Sequence, residues 1–238
     1  MVITRIKRSD LTNPSNGTTR ASEVYGQLKA DILHGHLLPE QKLKIDALSN
    51  HYQMGASPIR EALNRLSVEG LVTRSDQRGF NVAPLSWDEL NILTETRCFI
   101  EGRAIEESIL GRTQAWEEKL VLLIHKLSKK PRSSSASAHN ANPEWEILHR
   151  EFHKTLLENA KSRWLKEFSE MLSTESYRYR QVAASKTFGK RDHHGEHVAI
   201  FQAAIDGDIE KAKQLLFKHY RVTAELTGKG ARNLRLIK

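Results

Sequence analysis

Cysteine is nearly absent: Cys98 stands alone in 238 residues, which excludes an internal disulfide and fits a reducing compartment. No apolar run approaches the roughly 18 residues of a membrane-spanning helix. The opening MVITRIKRSD lacks the apolar stretch of a secretory signal, so a cytoplasmic protein is expected. Nor is charge gathered in one place. The formal net charge is +8, yet residues 1–85 hold 11 Lys and Arg against 8 Asp and Glu. Any case for nucleic-acid binding must therefore rest on a motif rather than on charge. No internal repeat is present. What is there is length for one large or two ordinary domains, and 39% hydrophobic residues to build a core.

The organising stretch is residues 45–70, IDALSNHYQMGASPIREALNRLSVEG, read as helix, tight turn, helix. Leu48 and Tyr52 mark one side of the first helix, and Gln53-Met54-Gly55 breaks it. Ser57 is expected as N-cap with Pro58 at the first helical position, and Glu61 lies close to a capping-box position. Ile59, Leu63, Leu66 and Gly70 form the expected buried stripe, leaving Arg60, Asn64 and Ser67 on another face. A short amphipathic pair with a polar, cationic second helix is what a helix-turn-helix presents to a major groove.

Around it the chain divides. Residues 1–19 are polar and read as a flexible arm. A helix over 20–35 buries Val24, Leu28, Ile32 and Leu33 and ends at Gly35. After Gly70, two β-rich runs (71–74 and 80–82) flank a polar turn and predict a hairpin wing, with Arg78 at its tip. The DNA-binding domain is thus expected over 20–84. GHLLPEQKL, SPIREALNRLSVEGLV and QRGFNV in this order resemble the N-terminal domain of GntR-type transcriptional regulators. The resemblance implies DNA contacts from Ser57, Arg60, Arg78 and Gly79. Lys44, Pro58, Asn64, Arg65 and Gln77 complete the candidate set. Many relatives carry Ser-Arg where this chain has Gly55-Ala56, so one arginine of the family pattern is missing.

From Ser86 onward only helical periodicity is found, with helices expected over 87–111, 114–128, 143–159, 162–185, 193–206 and 208–227. Residues 129–142 read as a Ser-rich loop and 229–238 as a flexible basic tail. The expected fold class is mainly α: an N-terminal winged helix-turn-helix with a small β-hairpin, and a C-terminal all-α antiparallel bundle of six to seven helices over 87–228.

His149 and His153, four apart, share an apolar face with Phe152 and Leu156. His197 shares one with Ile200, Phe201 and Ala204, and His219 one with Ala212, Leu215, Leu216, Val222 and Leu226. His139, His193 and His194 sit in polar surroundings. Buried imidazole needs a hydrogen-bond partner or a metal, and four aimed inward suggest a shared divalent site, zinc or nickel first. Arg97 falls inside the stripe of Leu90, Leu93, Ile100 and Ala104. Buried there, it needs an anion, either Glu101 one turn on or a ligand carboxylate. Tyr177, Arg178 and Arg180 are further effector candidates, with Tyr179 beside them.

RCFIEGRA, LHREFHKTL, EHVAIFQAAIDGD and KAKQLLFKHY resemble the all-helical FCD effector domain of FadR-like GntR regulators. In metal-binding members an Asp or Asn precedes the FH histidine by four positions. Matching places His153, His197 and His219 as the three family histidines, with His149 at the carboxylate or amide position. The resemblance implies a homodimer on a palindromic operator, most often a repressor released by a small carboxylate. SPIREAL, QRGF and the RYR run are similar to regulators of dicarboxylate catabolism, glutarate-responsive ones included. The competing reading is a metal hydrolase, since His149-Arg-Glu151-Phe-His153 superficially looks like HExxH. But Glu151 lies two residues from each histidine, about 200° round the helix, and cannot serve as their base.

Overall fold

The computed structural model describes residues 19–75, 79–133, 142–187 and 191–233. The expected arm over 1–18 and the wing tip with Gln77 and Arg78 lie outside the described residues, as does His139. The chain forms two units, residues 1–31 with 41–83, and residues 32–40 with 84–238.

The first unit is built on α1 (Arg20–Leu33), α2 (Ile45–Tyr52) and α3 (Ala56–Val68). Three strands complete it: β1 (Lys42–Leu43), β2 (Val72–Ser75) and β3 (Gly79–Val82). The sheet is antiparallel in the order β1-β3-β2, with Lys42 opposite Asn81 and Val72 opposite Val82. Two-residue β1, too short for any alternation to show, was not expected from the sequence. Val24, Leu28, Ile59, Leu63 and Leu66 are wholly buried, while Leu33 is only half-buried.

Three local expectations are corrected. The left-handed residue of the helix-turn-helix is Gln53 (φ 55°), whose side-chain amide donates to the Asn50 carbonyl, while Gly55 is extended and caps α3. Because α3 begins at Ala56, Ser57 is inside the first turn rather than its cap. Pro58 is tolerated there because first-turn N–H groups have no intrahelical acceptor, and Glu61 is too far along for a capping box. Gly70 is not in the stripe; it is exposed at φ 75° in the turn after α3, a conformation open to glycine.

The second unit contains six helices among the described residues: α4 (Trp87–Leu110), α5 (Gln114–Lys129), α6 (Pro143–Leu156), α7 (Arg163–Thr187), α8 (His193–Ile205) and α9 (Ile209–Asn233). Side chains accept from first-turn N–H groups at four starts: Ser86 for α4, Thr113 for α5, Asn142 for α6 and Asp192 for α8. Ile105, Ile109, Trp116, Leu120, Phe152, Leu156, Ile200 and Leu216 centre the core. The buried Trp116 indole donates to the Thr155 carbonyl at 2.6 Å and ties α5 to α6. On α4 the buried stripe is rotated from the expected one: Leu93 and Ile100 are half-buried, whereas Thr94, Arg97, Cys98 and Glu101 are inside.

α9 runs past Gly228 to Asn233, so the first part of the expected tail is helix. Gly228 is there for space. A Cβ on it would lie 1.5 Å from the Trp87 ring, an impossible distance. No helix of the described residues is long and apolar enough to cross a membrane.

Candidate metal centre and DNA-binding face

α6, α8 and α9 bring His149, His153, His197 and His219 together, with one nitrogen of each within 4.8 Å of the others. None is more than 7% exposed. The four imidazoles crowd together, with ring centroids 4.7 Å apart edge to face for His149–His153 and 4.7 Å apart and tilted for His197–His219. His149 Nδ1, His153 Nε2 and His197 Nε2 are buried with no hydrogen-bond partner. Three orphaned nitrogens beside one another are costly unless something accepts their lone pairs.

The surroundings hold the rings in a ligating tautomer. Tyr220 donates its hydroxyl proton to Glu101, so its oxygen accepts from His153 Nδ1 at 3.3 Å and leaves Nε2 facing the cluster. His219 Nδ1 lies 2.8 Å from Glu196 Oε2 and 3.1 Å from Arg191 Nη2; the closer carboxylate, which can only accept, makes Nδ1 the donor and frees Nε2. Glu196 is in turn held by Arg191. Trp145 stacks on His149 at 4.6 Å. Such outer partners fix ring orientation and raise ligand basicity at metal sites. Burial, followed by the neighbouring histidines, pushes His149, His153 and His219 well below the ordinary imidazole value. Burial lowers His197 to about 3. All four are neutral near pH 7, the state that binds a metal, and the donor set fits a divalent ion of the zinc or nickel kind.

Arg97 is buried, and its Nε donates to Glu101 Oε1 at 2.8 Å while its guanidinium lies 4.0 Å over the Tyr220 ring. Glu101 is thus its partner, yet Arg97 still lines the cavity beside His149, His153 and His219. That cavity measures about 40 Å³. From α7 it is lined by Ser173, Ser176, Tyr179 and Arg180. Tyr177 and Arg178 are not on it. Arg178 is two residues from Arg180, hence on the far side of the helix. Tyr177 packs its ring near the Arg150 and Arg180 guanidinium groups. Arg180 donates to Glu146 at 3.2 Å.

Sequence reasoning missed three residues here: Trp145, Arg132 and His193. His193 is no surface histidine. Its Nε2 accepts from Arg132 at 2.6 Å, and burial with the Arg132 charge lowers it to about 2. Periodicity is silent on Arg132, which sits in the α5–α6 connection. Glu151, the residue on which a hydrolase reading would turn, pairs with Lys119 at 3.2 Å; it is absent from the cavity that His149, His153 and His219 share and lines only the adjoining one, where His153 is the single histidine.

In the first unit, Ser57, Arg60 and Asn64 of α3 are exposed, as are Lys44, which precedes α2, and Gly79, which opens β3; Pro58 is half-buried. Asn64 accepts from Arg74. Arg65 is also exposed but engaged, bonded to Ser22 Oγ at 3.3 Å and stacked 4.0 Å over the Tyr25 ring. Arg60 makes no hydrogen bond or ion pair among the described residues.

Comparison with known proteins places these observations. The family described as bacterial regulatory proteins, gntR family, matches residues 20–82, and the FCD domain matches residues 92–222. The chain is 32% identical to the uncharacterized HTH-type transcriptional regulator BphR of Paraburkholderia xenovorans, over 82% of this chain and 80% of that one. It is 29% identical to the HTH-type transcriptional repressor GlaR of Escherichia coli, over 85% of this chain and 93% of that one. Among solved structures, Escherichia coli McbR/YncC has the same fold, with a TM-score of 0.69 at 19% identity, covering 90% of this chain and 99% of that one.

Proposed function

Because the chain belongs to the GntR family of bacterial regulatory proteins, in the branch with an FCD domain, we propose that this transcriptional regulator is a repressor whose hold on its operator is set by a small organic acid bound beside a metal ion. The observation that carries this reading is the convergence of four buried, neutral imidazoles, three of them with an orphaned nitrogen, within 4.8 Å. His149, His153, His197 and His219 would hold the ion. A bound divalent cation supplies a positive point to which a carboxylate can bind. All four donors are neutral, so none offsets the ion's charge and an anionic effector is favoured. Family likeness supports a dicarboxylate, and the repressor named among the relatives supports the sign of regulation.

Arg97 passes effector binding to the helix that carries it. It lies on α4, the helix the chain enters after residue 86. An acid drawn to the cavity competes with Glu101 for the guanidinium and changes how α4 packs against α9. Binding shifts operator affinity only through its different affinity for the two arrangements. In the first unit α3 enters the major groove with Ser57, Arg60 and Asn64, Lys44 and the wing reach the backbone, and Arg65 braces α3 at the surface against Ser22 and Tyr25 of α1. We further propose a homodimer on a palindromic operator, acting in the cytoplasm. Ile92, Phe99 and Leu110 are exposed along one line of α4, an apolar stripe suited to a second copy.

Replacing His153 and His197 together by Ala tests the sensor. Metal content by mass spectrometry and the thermal shift with organic acids should be lost together, while the gel shift without acid persists. Metal retained by the double variant places the site elsewhere.

A further inference from the structure

Five arginines gather around the imidazole cluster, and four have a carboxylate. Arg97 pairs with Glu101, Arg150 with Glu170, Arg180 with Glu146 and Arg191 with Glu196. Arg132 differs. Among the described residues no carboxylate lies within salt-bridge reach of it. Its Nη1 donates to the neutral His193 ring at 2.6 Å, and its Nε is buried with no partner. Glu146 offsets part of its charge from beyond hydrogen-bond reach, but a largely buried guanidinium with no carboxylate bonded to it is costly, and its planar fork fits a carboxylate.

Its position is built rather than accidental. Asn142 caps α6 and reaches back to the α5–α6 connection. Its backbone N–H donates to the Arg132 carbonyl at 3.2 Å and its side chain to the Pro131 carbonyl at 2.8 Å. Arg132 is therefore fastened to the start of the helix that carries His149 and His153. Its guanidinium lies 5.7 Å from the centre of the Trp145 ring, the same indole that stacks on His149 at 4.6 Å. Arg132 and the histidines open on one cavity. Burial and the charges of Arg180 and Arg191 lower Arg132 to about 10, which leaves it cationic at neutral pH.

We infer that Arg132 is a second carboxylate anchor, so that the cavity selects a short dicarboxylate, one end held at the imidazole cluster and the other by the Arg132 fork. This rests on the organic-acid reading above and adds to it the residue that counts carboxylates. The 40 Å³ available means that side chains move on binding, and the Arg132–His193 bond is the contact to be exchanged.

The test measures calorimetric affinity and thermal shift for succinate, glutarate and butyrate on the full-length, metal-containing protein and on Arg132→Gln and Arg132→Lys. In the wild type a dicarboxylate should bind more tightly than butyrate. Arg132→Gln should weaken the dicarboxylate by about tenfold or more, the scale of a charge-assisted bidentate pair. Butyrate affinity and metal content should be unchanged. Arg132→Lys, which keeps the charge and loses the fork, should fall between and guards against a folding defect in the glutamine variant. Preference for the dicarboxylate kept by both variants, or butyrate and dicarboxylate weakened alike, overturns the role of Arg132 and leaves the organic-acid reading standing. Absence of any shift with all three acids in metal-replete wild type overturns both.

Discussion

Between residues 19 and 83 every fully buried side chain among the described residues is apolar; between residues 84 and 233 the interior also holds Arg97, Glu101, Glu146, Arg178 and four histidines. The first unit keeps its polar groups outside, where a nucleic acid can meet them. Its fold needs only apolar burial, and Arg60 is free to serve another molecule. The second unit places its polar groups inside, where each must be answered by a partner. Chains such as His153–Tyr220–Glu101–Arg97 show how far that requirement spreads. A DNA-binding surface can be decorated onto a stable core, whereas a cluster of buried polar groups must be part of the core.

The difference is broken most sharply at Glu101. Glu101→Ala removes the only carboxylate bonded to Arg97 among the described residues and the acceptor of the Tyr220 hydroxyl. It should destabilise the second unit by about 3–5 kcal/mol, as stranding a buried charge does. Thermal unfolding followed by circular dichroism should show that unit melting earlier. A change below about 1 kcal/mol would mean that water already answers Arg97. In the first unit the matching experiment is Leu63→Ala, which should cost about 2–5 kcal/mol through lost burial and a cavity, without any dependence on pH or metal. Leu63 is wholly buried on α3.

A pH titration separates the interiors further. His197 at about 3 and His193 at about 2 stay neutral in the folded protein well below their ordinary value of 6.5. As pH falls below 6.5 the unfolded chain takes up protons that the folded one refuses, so stability drops, and the loss continues until the folded histidines titrate. Each depressed histidine should cost about 1 kcal/mol per pH unit in chelator-treated protein. Denaturant midpoints between pH 7 and 5 measure this. A flat profile would show that the cluster is open to protons. The first unit buries no histidine among its described residues and should contribute little to the slope.

How much was legible in advance follows the same division. Helical periodicity exposed the buried faces of α6, α8 and α9, and with them the four converging histidines, because each histidine repeats the spacing of the core it sits in. It also placed Arg97 inside with Glu101 one turn away. Arg132 and His193 escaped because one lies in a loop and the other at a helix start, where spacing carries no facing information. Of the four α7 candidates the cavity takes Tyr179 and Arg180 and leaves Tyr177 and Arg178 off it, a distinction spacing alone does not draw because a rotation of one residue is 100° on a helix. The turn of the helix-turn-helix was placed correctly but by the wrong residue. The sequence rule favours glycine, and the left-handed position is taken by Gln53, with a side-chain bond to Asn50.

The smallest stability change is expected where the functional loss is plain. Arg60 is exposed on α3, outside the buried stripe of Ile59, Leu63 and Leu66, and has no polar partner among the described residues. Arg60→Ala should therefore leave stability within about 0.5 kcal/mol. If α3 lies in the groove as proposed, the same change should cost about 1–3 kcal/mol of operator binding, the value of one good base or phosphate pair. Fluorescence anisotropy at two salt concentrations distinguishes the contacts. A base contact relaxes sequence preference at one position, while a phosphate contact weakens all sequences alike and flattens the salt dependence. Arg65→Ala is the control. Arg65 is already spent on Ser22 and the Tyr25 ring, so its loss should show in the melting temperature before it shows on DNA. Equal losses of DNA binding at both positions would mean that the exposed face of α3 is not what the operator meets.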